Sequence, residues 1–329
     1  MHNRNRQVGI FLALAVAVGV AIFQSPTRQH AHSSHDVVLV THDSFVMSKE
    51  LVADFEKTSG LKLTLIKAGD AGSLTNRLVL TKAAPIADAV FGIDNTFAGL
   101  AMSHKLIDGD LTPTDFGDAC FNYDKAWFKN HQLQAPTTIA ELALPQYRGL
   151  TVVENPNTSS TGLAFLAASV DKFGEAGWHK YWQSLKDNGI KVVDGWETAY
   201  YTEFSGSSGH GNYPIVLSYA SSPADEIDAQ GHSLTASILD GCFRQTEYAG
   251  VLLKAQNPDN ARTLINYLVS KKFQETFPTA MYMYPIDTSV PLPDSWTANT
   301  QLAAHTFGDK LDINTNRKMW LTQWSAIFE

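Results

Sequence analysis

Trp196, Tyr200, Tyr219, Tyr282 and Tyr284 offer aromatic faces, Asp43 and Asp94 offer carboxylates, and Ser44, Ser73, Ser159, Ser160, Thr161 and Ser221 offer hydroxyls. Most stand in short loops beside Gly or Pro. Such a set breaks no bond by itself, but it suits an organic cation: π faces attract positive charge, carboxylates compensate it, and hydroxyls with backbone N–H groups hold a polar or anionic tail. The most informative stretch is Glu154-Asn155-Pro156-Asn157-Thr158-Ser159-Ser160-Thr161-Gly162. An apolar strand at 150–153 enters it and an amphipathic helix at 162–173 leaves it. Pro156 blocks continuation of the strand, and the hydroxyls gather where the first N–H groups of the helix have no intrahelical partner. The pattern predicts a seat for a phosphate or carboxylate, with a plain helix cap as the alternative. Gly72 and Ser73, in the turn 69–73, and Asp94 have the same two readings, ligand contact or ordinary turn and cap.

The elements that must position these residues alternate between short strands and helix-period segments. Strands are predicted at 37–41, 61–67 and 87–92, with helices at 49–58, 74–82 and 95–103 between and after them. After a less periodic, Pro-containing stretch at 110–145 a second series follows: strand 150–153, helices 162–173 and 178–188, strand 190–193, helix 197–204, and strands 213–218 and 233–239. This is an α/β chain with two units. Helices are predicted at 258–269, 271–277 and 314–328. In the last one Met319, Trp320, Trp324 and Ile327 recur at helical spacing and read as core anchors. The candidate loops follow the carboxyl ends of strands, where open α/β sheets bind ligands.

A chain of 329 residues with 44% hydrophobic content can bury a large core, and its length favours two lobes. The basic start (Arg4, Arg6), the apolar run 8–23 and the polar stretch to 36 form an export pattern, either a cleaved signal or an N-terminal membrane anchor. Residues 1–36 hold three positive charges and one negative, so without them the net charge of −8 becomes −10. That acidity argues against nucleic acid or anionic lipid as partner and favours a cationic solute. Cys120 and Cys242 form an even pair in an exported chain, which points to one disulfide, with two buried thiols as the alternative. No P-loop, HExxH or GxSxG motif occurs.

Taken in order, several segments resemble the thiamine-binding solute-binding proteins of bacterial ABC importers, within the type II periplasmic-binding-protein superfamily. They are Thr41-His42-Asp43-Ser44-Phe45, the segment 87–95, Asn155 to Leu163, Gly195-Trp196-Glu197-Thr198-Ala199-Tyr200, Val216-Leu217-Ser218-Tyr219 with Ser221-Ser222-Pro223, and Phe277-Pro278-Thr279 with Met283-Tyr284-Pro285. The resemblance extends over 37–329. It implies a two-lobed clamshell, each lobe a mixed sheet flanked by helices, with lobe 1 formed by 37–119 and 243–329 and lobe 2 by 120–242. It also implies a monomer that captures thiamine, its monophosphate or its diphosphate without a cofactor or metal and delivers it to an ABC permease. Thiamine is a cationic thiazolium joined to an aminopyrimidine, so the aromatics would stack on its rings, while Ser159, Ser160 and Thr161, with Gly72 and Ser73 opposite, would hold its hydroxyethyl or phosphate end. Tyr282 stands where the family carries a tryptophan, which gives a smaller stacking face. The resemblance places Cys120 and Cys242 at the crossings between lobes, where a disulfide would join them near the hinge.

Two other functions share this fold. Type I thiaminases use a cleft cysteine as nucleophile, which requires a free, activated thiolate. Ferric-ion binders use adjacent tyrosines, and Tyr200 and Tyr201 are adjacent here, with His42 as a further donor.

Overall fold

The computed structural model describes residues 34–328; the export segment lies almost wholly outside them. Among the described residues nine strands run in chain order: β1 (Asp36–Thr41), β2 (Lys62–Lys67), β3 (Ala89–Asp94), β4 (Thr112–Asp124), β5 (Thr151–Glu154), β6 (Lys191–Val193), β7 (Ile215–Tyr219), β8 (Thr235–Val251) and β9 (Tyr284–Pro285). They form one mixed sheet in the order β2-β1-β3-β8-β4-β7-β5-β6, with β9 paired to β4.

Each end of the sheet is parallel. β1 pairs in parallel with β2 and β3, and β5 does so with β6 and β7. Their helical connections are the crossovers parallel pairing requires. β8 meets β3 through residues 247–251 and β4 meets β7 through residues 119–123, both antiparallel. The two long central strands therefore join one parallel end to the other.

Alternation along β1 shows how the layers form. Val37 and Leu39 pack with Phe55, Leu264 and Leu268 on one face, whereas Val38 and Val40 pack with Leu74 and Leu78 on the other. Both faces are covered, so the strand is apolar throughout. Trp178, Trp182 and Trp320 are fully buried. Trp182 Nε1 donates to Ser169 Oγ at 2.8 Å, which satisfies its one polar atom inside the core. Trp320 and Trp324 of the helix Ile313–Phe328 are core residues, in agreement with their spacing.

The stretch 110–145, read as irregular, contains the 13-residue β4. The predicted strand 233–239 is only the beginning of β8, which has 17 residues. The reason is polar burial: Thr114, Asp115, Asp118 and Asn122 of β4 and Gln245 and Glu247 of β8 are all buried, so neither strand shows an apolar period of two. A single turn of π-helix (Thr198–Glu203) replaces the longer helix expected at 197–204.

Cys120 and Cys242 are joined as a disulfide, with Cα atoms 4.6 Å apart and a sequence separation of 122. The bond ties β4 to β8 where their register shifts between Ala119 and Phe121.

Candidate functional site

Three loops at the carboxyl ends of β1, β2 and β5, with the turn after β6, converge on one cavity. His42, Ser44 and Asp70 line one side, and Ser160, Thr161, Trp196 and Tyr219 the other. Glu247 of β8 lies between them, and Met281 and Met283 complete the lining. Asp43 and Ser73 face Asp194 and Glu197 across an adjoining cleft that shares Ser44, Asp70 and Trp196.

The helix Ser160–Phe173 begins as its sequence predicts, with Ser159 in an extended N-cap conformation. The seat at its N-terminus is filled by a carboxylate of the protein itself. Asp70 caps the helix Ala71–Thr81, accepting the Ala71 N–H at 2.6 Å. From there it also accepts the Ser160 N–H at 3.2 Å and the Trp196 N–H at 2.9 Å. Burial raises the Asp70 pKa above its ordinary 3.8 despite these N–H groups, which favour the charged form. Beside it the Ser73 N–H donates to the Thr158 carbonyl at 2.9 Å. Gly72 lies so close to this turn that a Cβ there would come within 2.6 Å of the Thr158 carbonyl, so only glycine allows the approach.

Below the seat the hydroxyls turn inward. Thr161 donates to the buried Glu154 at 2.8 Å, and Ser159 and Thr161 are 2.9 Å apart. Burial pushes Glu154 well above its ordinary 4.5. Gln245 donates to Ser160 Oγ at 3.3 Å and receives the Tyr219 hydroxyl at 3.3 Å.

Trp196 is the main aromatic wall. Its Nε1 donates to Ser218 Oγ at 2.8 Å, and its ring stacks on Tyr200 at a centroid distance of 5.1 Å and an interplanar angle of 13°. Tyr219 is tilted beside it at 6.2 Å. The wall shares the cavity with Asp70 and Glu247. The arrangement combines π faces with a polar, carboxylate-bearing side, which suits a flat organic cation.

Of the residues singled out from sequence, Ser44, Ser160, Thr161, Trp196 and Tyr219 line this cavity, and Asp43 and Ser73 line the adjoining cleft. The others are placed elsewhere. Asp94 is buried, accepting the Thr96 hydroxyl at 2.8 Å and the Phe97 N–H at 3.3 Å; burial pushes it up to about 7. Tyr200 is the support beneath Trp196 rather than a wall. Ser221 donates to the Tyr282 carbonyl, and the Tyr282 hydroxyl donates to Asp225 at 2.6 Å. Tyr284, in β9, stacks on Phe116 at 5.2 Å. The Tyr200 hydroxyl points to the Ser222 carbonyl at 3.4 Å, so the Tyr200–Tyr201 pair is not presented to the cavity as a ligand set. Cys120 is consumed in the disulfide, which removes the thiol that nucleophilic chemistry would need.

Sequence reasoning missed Asp70, Glu247, Met281 and Met283 as cavity residues and gave His42 only the ferric reading. Asp70 is the N-cap of a helix, a signal shared with ordinary caps. Glu247 sits mid-strand opposite Asp115, its cross-strand partner. Asp115 follows Thr114 and Glu247 follows Thr246, so neither carboxylate stands in an alternating apolar pattern that would have marked it.

Residues 88–303 match the family of bacterial extracellular solute-binding proteins, and the chain belongs to it. A thiamine-binding periplasmic protein of Salmonella typhimurium is 27% identical over 311 residues, covering 88% of this chain and 92% of that one. The solved structure of a periplasmic thiamin binding protein superposes with a TM-score of 0.79 at 25% identity, over 89% of this chain and 96% of that chain. The iron uptake protein A2 of Synechocystis is 29% identical over 187 residues, which is 54% of this chain and 53% of that protein. The architecture is the type II periplasmic-binding-protein fold expected from the sequence.

Proposed function

We propose that this protein captures thiamine outside the cytoplasm and delivers it to the permease of an ABC importer, without catalysing a reaction on it. The observation that carries the reading is that Trp196 and Tyr219 line one cavity together with Asp70 and Glu247. A thiazolium stacked on Trp196 gains cation–π attraction, about 0.5 to 2 kcal/mol per contact, and the nearby carboxylates compensate its charge. Relatives that carry the name thiamine-binding, aligned over most of both chains, support the same ligand.

The lobes we assign are 37–119 with 243–329, and 120–242. On that division Asp70, Ser73 and Gly72 of lobe 1 meet Ser160, Trp196 and Thr158 of lobe 2, so these contacts form on closure. A ligand shifts an open–closed equilibrium only by its preference for one state, and one that touches both walls supplies that preference. The disulfide, at the junction of the long strands, limits splaying while leaving closure possible. Export follows from the N-terminal pattern and the family; the protein acts as a monomer, and the permease reads the closed form.

Trp196 gives the test its signal. Thiamine added to the purified protein quenches tryptophan fluorescence saturably, and Trp196→Phe reduces the amplitude. Unchanged fluorescence and no bound thiamine after equilibrium dialysis would refute the reading.

A further inference from the structure

We propose that His42 is the resident cation of this cavity: in the empty protein it neutralises Glu247, and a cationic ligand takes over that role as His42 gives its proton to solvent. The inference rests on the thiamine reading for its ligand but not for its chemistry.

His42 and Glu247 are 6% and 4% exposed, so their charges are poorly screened by water. His42 Nε2 lies 3.4 Å from Glu247 Oε1, and Nδ1 lies 3.2 Å from Ser44 Oγ. The place of the ring is built into the backbone. Gly92 has φ +94°, and a Cβ there would come within 1.9 Å of His42 Cδ2. Phe91 closes the other approach, its ring 5.8 Å away.

The groups around the imidazole are almost all acidic. Glu247 faces it from β8 and Asp70 from the cap of the helix Ala71–Thr81, and Asp43 follows it in the chain. Behind Glu247 stand Asp115 of β4 and Asp94 at the end of β3, with the Tyr219 hydroxyl of β7 near the same cluster. Among the described residues no lysine or arginine lines the cavity, which leaves His42 as the lining group there able to carry positive charge. Burial alone would lower the His42 pKa, but Glu247, Asp70 and Asp43 together outweigh it and raise it above the ordinary 6.5. Burial, and after it the charge of Glu247, pushes Asp115 well above its ordinary 3.8.

A fixed cation entering beside this ring repels the imidazolium and competes for the same carboxylate. The charge balance of the cavity is kept if one proton leaves for each cation bound. By linkage, affinity then falls as pH drops through and below the His42 pKa, by up to about tenfold per pH unit. A neutral heterocycle cannot replace the lost charge, so the exchange selects for ligands with a permanent positive charge.

The experiment is calorimetric titration of the full exported protein with thiamine between pH 5 and 8, in pairs of buffers with different ionisation enthalpies, for wild type and His42→Gln. Glutamine cannot titrate, so the variant reports any titration of the ligand itself. The expected result is release of close to one additional proton by wild type and a steeper pH dependence than the variant's. Equal slopes and equal proton release would overturn the proposal. A ligand-free arm separates it from the thiamine reading: NMR titration of the His42 ring should show a pKa above 6.5 that falls in Glu247→Gln. An unmoved His42 pKa would overturn the pairing even where thiamine binds. Absence of thiamine binding at every pH, with the NMR shift present, would refute the thiamine reading and leave the His42–Glu247 pairing standing.

Discussion

The Asp70 carboxylate accepts the Trp196 backbone N–H at 2.9 Å, and its other oxygen accepts the Ser160 N–H at 3.2 Å. An anion site legible in the sequence is thus occupied by an acidic side chain from the facing wall. Phosphate reaching this helix terminus would meet a carboxylate in its place. Asp70→Asn keeps an N-cap oxygen for Ala71 but removes the charge. The variant should shift the preference between thiamine monophosphate and thiamine toward the phosphorylated form by about tenfold, the scale of one charge-assisted hydrogen bond. Competitive titrations with both ligands measure the ratio, and an unchanged ratio would place the phosphate elsewhere.

Trp196→Ala removes the stacking wall while leaving the carboxylates in place. Thiamine binding should weaken tenfold or more, about 1.4 kcal/mol. Calorimetry reads the loss, with circular dichroism to verify the fold. A dissociation constant equal to wild type would count against a ligand lying on this ring.

Gly92→Ala tests whether the His42 position is built by the backbone. The new Cβ would meet the ring at 1.9 Å, at a φ of +94° that L side chains rarely adopt. Loss of about 1 to 3 kcal/mol in urea unfolding is expected, and a neutral effect would mean the ring moves freely.

Buried acids set the pH dependence of stability. Asp94 is raised from its ordinary 3.8 to about 7, so between those values the folded state binds more protons than the unfolded chain. Stability therefore falls as pH rises through that window and levels off above it. His42 has the same sign: its raised pKa contributes stability below 6.5 that is lost as pH rises through the folded value. Thermal melting should be higher at pH 5 than at pH 8, and Asp94→Asn should reduce the difference. A higher melting temperature at pH 8 would contradict these shifts.

The disulfide should be a large contributor to stability. Closing a long loop restricts the unfolded chain, and replacing both cysteines by serine should cost about 2 to 5 kcal/mol. Chemical denaturation of the variant, beside wild type with and without reductant, measures this. A midpoint unaffected by either change would show that the bond adds little.

The α/β alternation was legible because most strands, such as β1 and β5, are apolar runs between turn residues, and the helices keep their period. β4 and all but the beginning of β8 were not, because buried Asp115, Asn122, Gln245 and Glu247 interrupt the apolar pattern. The same physics divided the site. Trp196 and Ser160 stand out beside Gly or in a hydroxyl run, where local sequence marks a loop. Glu247 and His42 acquire their meaning only from each other, 3.4 Å apart in space and far apart in the chain. Tyr282 and Tyr284, aromatic residues near a Pro-bounded loop, contact Asp225 and Phe116, partners that local sequence does not reveal.

Calorimetric titration of the purified exported protein with thiamine at neutral pH tests the central claim most directly. The account predicts saturable one-to-one binding with a dissociation constant of about 1 μM or tighter, roughly −8 kcal/mol. No binding at thiamine concentrations approaching about 1 mM would contradict it.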